Sequence, residues 1–254
     1  MRRELCCAFG NGLKYCLVKI IMSTIAHNLQ AVKAAIEAAA TAAGRAPATV
    51  QLLAVSKTFP PEAVLEALSA GQRAFGENYL QEGLDKIHAV AAKAPDAALE
   101  WHFIGPIQSN KTRPIATNFA WVHTVERFKI AQRLAEQRPA ELGPLNICLQ
   151  VNVSGEASKS GVAPDELLEL AQQVVTLPNL RLRGLMAIPE LNVDVAKQRA
   201  SFARLRELAD QLRAAGMPID TLSMGMSGDM EAAVMEGATI VRIGSAVFGA
   251  RHYE

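Results

Sequence analysis

The chain has little that would tie it to nucleic acid, a membrane or an oxidising compartment. Its 26 Lys and Arg stand against 25 Asp and Glu, a formal net charge of +1, and the basic residues scatter over helical stretches instead of forming the stripe that a phosphate backbone requires. No uninterrupted apolar stretch reaches the roughly 20 residues of a membrane-spanning helix. Cysteine is scarce. Cys6, Cys7 and Cys16 fall in the first 21 residues, and Cys148 sits inside an apolar run where it reads as a small buried side chain, so no disulfide framework is implied. Low-complexity tracts are absent. A G-x-S-x-G elbow is also missing, which leaves serine-hydrolase chemistry without support although Ser154 and Ser160 flank Gly155 and Gly161. His102 and His123 fall on consecutive strands, but no carboxylate or cysteine shares a metal-ligand spacing with them, and they read as satisfied barrel histidines.

The leading segment, residues 1–21, fits neither a helical nor a strand period. Asn11 and Lys14 interrupt its apolar stretch and no small-residue cleavage site follows, so it is expected to be an extension outside the fold and not a signal peptide. A capped helix opens just after it, at Ser23 and Thr24. Cytoplasm is the expected compartment and a monomer the expected state.

What the chain has in quantity is one alternation. Half of its 254 residues are apolar and 20% are charged, which suits one large core in a single domain. The Ala-rich stretch 34–43 reads as a helix. Strand-like runs follow at about 52–55, 74–77, 99–104, 121–125, 145–153, 182–188, 221–224 and 239–248. Helical patterns separate them, after Pro61 and at about 80–93, 111–118, 126–138, 164–177, 195–215 and 230–237. The strands are near-continuously apolar, as parallel strands buried on both faces are. No G-x-G-x-x-G turn follows Val55, which argues against an open doubly wound sheet. Eight βα units therefore predict a closed (β/α)8 TIM barrel over residues 22–254.

In such a barrel the working face is the C-terminal end of the strands, and phosphate is usually held by the loops after strands seven and eight. Both loops are built of small residues: Met224-Gly225-Met226-Ser227-Gly228-Asp229 in one, Arg242-Ile243-Gly244-Ser245 in the other. Small residues let backbone N–H groups approach an anion, and each serine adds a hydroxyl. At the end of the first strand stands Lys57, a lone amine just before Pro60 and Pro61 force the chain into a loop. One molecule joins a lysine on one side of the mouth to a phosphate cradle on the other. That molecule is pyridoxal 5'-phosphate (PLP), whose aldehyde takes an amine as a Schiff base. The amine must first lose its proton, which burial or a neighbouring cation favours. Arg242, on the strand beside the first, either supplies that cation or faces the pyridine nitrogen.

The order of motifs then carries a resemblance: LLAVSKT (52–58), FGENYLQE (75–82), WHFIGPIQSNK (101–111), VNVSGEASKSG (151–161), RLRGLMAIP (181–189), MGMSGDMEAAV (224–234) and VRIGSAVFGAR (241–251). Together they resemble the YggS/PROSC family of pyridoxal phosphate homeostasis proteins, from about Ser23 to Tyr253. The resemblance implies a PLP-binding barrel of fold type III, like the N-terminal domain of alanine racemase, with Lys57 as the Schiff-base lysine. It also implies that Asn78 lies near the cofactor ring, that Ser227, Gly244 and Ser245 bind the phosphate, and that Arg242 faces the pyridine nitrogen, weakening the cofactor as an electron sink.

Two functions of different class use such a site. One is a carrier that holds PLP and releases it to apo PLP-dependent enzymes, and the other is an enzyme such as an amino-acid racemase. A fold type III racemase takes its second acid/base from an added β domain, and this sequence runs only six residues past Phe248, so a carrier without robust catalysis is expected. Some residues keep two readings. Lys111 and Lys159 are either solvated loop charges or amines that a second PLP reaches during transfer, and Glu77 and Glu126 either orient polar groups at the mouth or cap helices.

Overall fold

The computed structural model describes residues 24–155, 160–190 and 192–250. The leading segment 1–21 lies outside them. Eight parallel strands close into a barrel in chain order. They are β1 (Gln51–Val55), β2 (Ala74–Glu77), β3 (Glu100–Phe103), β4 (Trp121–Val125), β5 (Leu145–Gln150), β6 (Leu180–Met186), β7 (Thr221–Ser223) and β8 (Ile240–Ile243). Helix α1 (Thr24–Ala42) precedes the barrel. The connecting helices are α2 (Pro61–Ser69), α3 (Leu80–Lys93), α4 (Thr112–Asn118), α5 (Phe128–Gln137), α6 (Leu167–Val175), α7 (Val195–Ala214) and α8 (Met230–Met235), and α9 (Ser245–Phe248) follows β8. No described helix is long and apolar enough to cross a membrane.

The strands read as continuous apolar runs because both of their faces are covered. Outward residues such as Phe75, Phe103, Val122, Ile147 and Leu149 join Val64, Val90, Ile115, Leu134, Leu170 and Phe202 of the helices in one large cluster between barrel and helices. Separate small clusters, Leu53 with Ala74 and Ile240, and Trp121 with Cys148 and Met186, belong to other strand residues. Polar side chains share the interior with them: His102, His123, Ser223 and Arg242 are all buried.

Element boundaries differ from expectation in three instructive places. The run 239–248 is not one strand, because β8 stops at Ile243 and the chain turns at Gly244. The amides of Val247 and Phe248 both bond back to the Gly244 carbonyl, closing a helical turn. Asn28 of α1 caps this turn from outside through a 3.0 Å bond to the Val247 carbonyl. A short apolar run of this length does not distinguish strand from helix by periodicity. The run 145–153 likewise ends as a strand at Gln150, and Val151 pairs instead with Val162 as the following loop folds back. The strand expected at 182–188 occupies Leu180–Met186, and a register shift in its pairing with β5 falls between Ile147 and Cys148.

Candidate functional site

All six expected residues stand at the C-terminal ends of four adjoining strands, β7, β8, β1 and β2. Lys57 is half-buried, two residues past β1, and the backbone on both sides of it is fastened. The Ser56 amide donates to Gly76 at 3.1 Å, and the Ser56 carbonyl accepts from Phe59 at 3.1 Å and from the Lys86 ammonium at 2.8 Å. On the other side, the Thr58 amide donates to Glu82 at 2.5 Å, and Thr58 holds the left-handed φ of 69° that side chains disfavour. Beneath lies a buried ion pair. Lys86, 2% exposed, meets fully buried Glu77 at 2.6 Å and Glu82 at 3.0 Å, and the Ser56 hydroxyl donates to the same Glu77 oxygen at 2.6 Å. Burial pushes the Glu77 carboxyl upward, opposed by the pull of Lys86 and Ser56. Glu77 therefore orients a polar cluster under Lys57 and caps no helix. Lys86 and Glu82 were not anticipated, although their i,i+4 spacing on α3 is a pairing signal.

The two serine loops converge. In the β7–α8 loop the Met226 amide donates to the Asp229 carboxylate at 2.5 Å and the Asp229 amide donates back to Met226 at 3.2 Å, which holds Ser227 and Gly228 at the exposed tip. Gly225 opens this turn with φ of +93°, and a Cβ there would lie 2.6 Å from the Ala233 Cβ. Gly244 lies against β1, where a Cβ would stand 3.2 Å from the Val55 carbonyl oxygen. As a result the Ser227 and Ser245 hydroxyls, both on exposed residues, meet at 3.5 Å.

Arg242 is 5% exposed and fixed at both ends. Nη1 donates to the Ser223 hydroxyl at 2.9 Å, Nη2 to the Ala187 carbonyl at 3.0 Å. Burial pulls its guanidinium down to about 10, opposed by the Asp229 charge. It remains a cation at neutral pH. Asn78 follows β2, and its side-chain oxygen is buried without a hydrogen-bond partner. It lines a cavity of about 610 Å³ at the ends of β2 to β5 together with Ile104, Lys111, Thr124, Glu126 and Gln150. Ser227 lines a different cavity of about 660 Å³ with Asn192 and Val195, so the six residues do not share one cavity wall.

The remaining residues resolve individually. Lys111 is exposed, and Lys159 lies outside the described residues. Glu126 accepts the Gly161 amide at 3.1 Å and so ties down the loop after β5 instead of capping a helix. Ser154 donates to Asn152 at 3.1 Å. His102 and His123 bond to each other at 2.9 Å, and among the described residues no group of three or more His, Cys, Asp or Glu is placed to hold a metal. Cys148 is buried, and burial pushes its thiol up to about 12.

Residues 22–252 match the alanine racemase N-terminal domain family, which sets the class of this barrel. Alanine racemase from Corynebacterium glutamicum shares that fold with a TM-score of 0.68 at 15% identity, over 91% of this chain and 62% of the racemase chain. Similarity is much higher elsewhere. The pyridoxal phosphate homeostasis protein of Pseudomonas aeruginosa is 67% identical over 232 residues, 91% of this chain and 98% of that protein. The structure of PipY from Synechococcus elongatus PCC7942 with PLP bound aligns with a TM-score of 0.76 at 36% identity, over 89% of this chain and all of PipY. The chain belongs to the family of the pyridoxal phosphate homeostasis proteins.

The buried pair beneath Lys57 has a measurable weight. Removing one partner of a buried ion pair strands the other charge, which costs about 3–5 kcal/mol. Lys86→Met is therefore expected to lower the urea midpoint by that free energy, and Glu77→Met added to it should restore most of the loss. A single-variant loss below about 1 kcal/mol would show that Glu77 carries no stranded charge.

Proposed function

We propose that this protein binds PLP at the barrel mouth and serves intracellular PLP homeostasis, holding the cofactor as a Schiff base on Lys57 and releasing it to apo PLP-dependent enzymes. The observation that carries this reading is the meeting of the Ser227 and Ser245 hydroxyls at 3.5 Å, in the loops that follow β7 and β8, the latter being the strand next to β1. The residues fit the group. Gly225 and Gly244 let the two loops pack closely on Ala233 and Val55, which brings their serines together, and Gly244, Ser245 and Ser227 would hold the phosphate by hydrogen bonds. Arg242 would donate to the pyridine nitrogen, and as a buried cation it keeps that nitrogen unprotonated. Asn78, with an unpartnered side-chain oxygen, would stand beside the ring. The bound cofactor supplies an aldehyde for the Lys57 amine. That PipY was solved with PLP bound and that close relatives are named homeostasis proteins support the same reading.

Carrier and enzyme differ in what they do with the cofactor. The holo-protein mixed with an apo PLP-dependent enzyme is expected to restore that enzyme's activity while its own visible absorbance band declines, and borohydride reduction should place the label on Lys57. A label mainly on Lys111 or Lys159 would overturn the lysine assignment. Rapid racemisation of amino acids, at the about 1 to 1000 turnovers per second of ordinary enzymes, without transfer would overturn the carrier role.

The phosphate assignment has its own test. Ser245→Ala is expected to weaken PLP about tenfold, the equivalent of one hydrogen bond of about 1.4 kcal/mol. Pyridoxal, which lacks the phosphate, should bind almost unchanged. Equal losses for both ligands would place the phosphate elsewhere.

We further propose that residues 22–254 make up the barrel domain, acting as a cytoplasmic monomer, with 1–21 outside the fold. A chain beginning at Met22 should then match the full chain in melting temperature and PLP content. A clear drop in either would show that the leading segment packs on the barrel.

A further inference from the structure

The barrel interior holds an unbroken line of polar side chains that ends on Arg242 and whose other members no step of the proposed function uses. Glu100 Oε1 stands 2.9 Å from His102 Nε2, His102 Nδ1 2.9 Å from His123 Nε2, and His123 Nδ1 2.8 Å from Ser223 Oγ. Ser223 Oγ in turn accepts from Arg242 Nη1 at 2.9 Å. The line runs from β3 and β4 across the lumen to β7 and β8, so it braces opposite walls of the barrel. His102, His123 and Ser223 are fully buried, and only the Glu100 side chain, 40% exposed at the first residue of β3, reaches solvent. The His102 ring is held flat against Trp121, 5.4 Å between centroids and 5° between planes.

Each link has only one workable direction. The bond from His102 holds the Glu100 carboxyl down to about 2, so it is a carboxylate and only accepts; His102 Nε2 must carry the proton. Burial keeps both histidines neutral by lowering their pKa, and His102 and Arg242 add to that effect at His123. A neutral imidazole has one donor and one acceptor. His102 Nδ1 is therefore bare, His123 Nε2 carries a hydrogen, and His123 Nδ1 is bare in turn. The Ser223 hydroxyl must then donate to His123, which leaves its oxygen lone pairs to receive Arg242. Donation thus runs one way: Arg242 to Ser223, to His123, to His102, to Glu100.

We propose that His102 and His123, anchored by Glu100, are positioning residues for Arg242: their one-way hydrogen-bond chain commits the Ser223 oxygen to the guanidinium and so aims it at the acceptor nitrogen of a bound pyridine ring. This rests on the PLP reading above, because only a cofactor with such a nitrogen gives Arg242 something to face. The distant carboxylate works through the chain without approaching the cofactor. Replacing it by an amide, which donates as well as accepts, removes the fixed polarity at its source.

The test has one reading without cofactor and one with it. In the apo-protein, nitrogen NMR of the two histidines should show both as Nε2-protonated neutral tautomers near pH 7.5, and Glu100→Gln should give His102 a mixture of tautomers. In the holo-protein, Glu100→Gln should shift the visible absorbance band and release PLP about fivefold faster, the effect of one weakened hydrogen bond, with the melting temperature nearly unchanged. Ser223→Ala, which removes the link next to Arg242, should show the same changes in larger measure. Normal loading of Glu100→Gln and Ser223→Ala with unaltered band and release would overturn the positioning role, as would Nδ1-protonated histidines in the wild-type chain. A wild-type protein that takes up no PLP would instead sink the cofactor reading, and this role with it, a result distinct from either.

Discussion

Closure of β8 on β1 is the constraint on which the site depends. The pairing of Leu53 with Arg242 and Ala54 with Ile243 sets the last strand beside the first, although nearly 190 residues of chain separate them. It places Gly244 against the Val55 carbonyl and sets the Ser245 turn beside the segment that bears Lys57. An open sheet of the same strands would leave these ends on opposite edges. Parallel pairing of this kind closes large loops and is paid for mainly by apolar burial on both faces of every strand.

That burial explains how much of the fold was legible. Near-continuous apolar runs in β1, β2, β4 and β5 announced parallel strands, and the missing Gly-rich turn after Val55 turned the reading from an open sheet to a barrel. What misled was the end of β8. Val247 and Phe248 are apolar because they pack in the main core as part of α9, and a segment of only four residues after a strand carries no period to reveal the change.

At the site, legibility followed the same division. Residues whose role is set by backbone geometry, Gly225 and Gly244, and those that punctuate loops, Ser227, Ser245 and Lys57, stood out by type and position. Residues that act by reaching across the fold did not. Lys86 bonds to the Ser56 carbonyl 30 positions away and His123 to Ser223 100 positions away, and no local pattern encodes such distances. Glu77 and Glu126 kept two readings for the same reason, since a carboxylate at a strand end looks alike in sequence whether it caps a helix, neutralises Lys86 or holds the Gly161 amide.

The two serines that meet at the mouth are exposed, and the tip between Gly225 and Asp229 carries no basic side chain. An anion held there is held by neutral donors in contact with water, so every bond it makes competes with hydration at nearly equal strength. Grip of this sort is graded, since each donor can yield to a water molecule in turn without exposing an unpaired charge. The floor beneath them is the opposite case, with Arg242 buried and bonded to Ser223 and Ala187. The mouth is thereby stiff at its floor and soft at its rim, and a ligand seated in it would loosen from the anion end first.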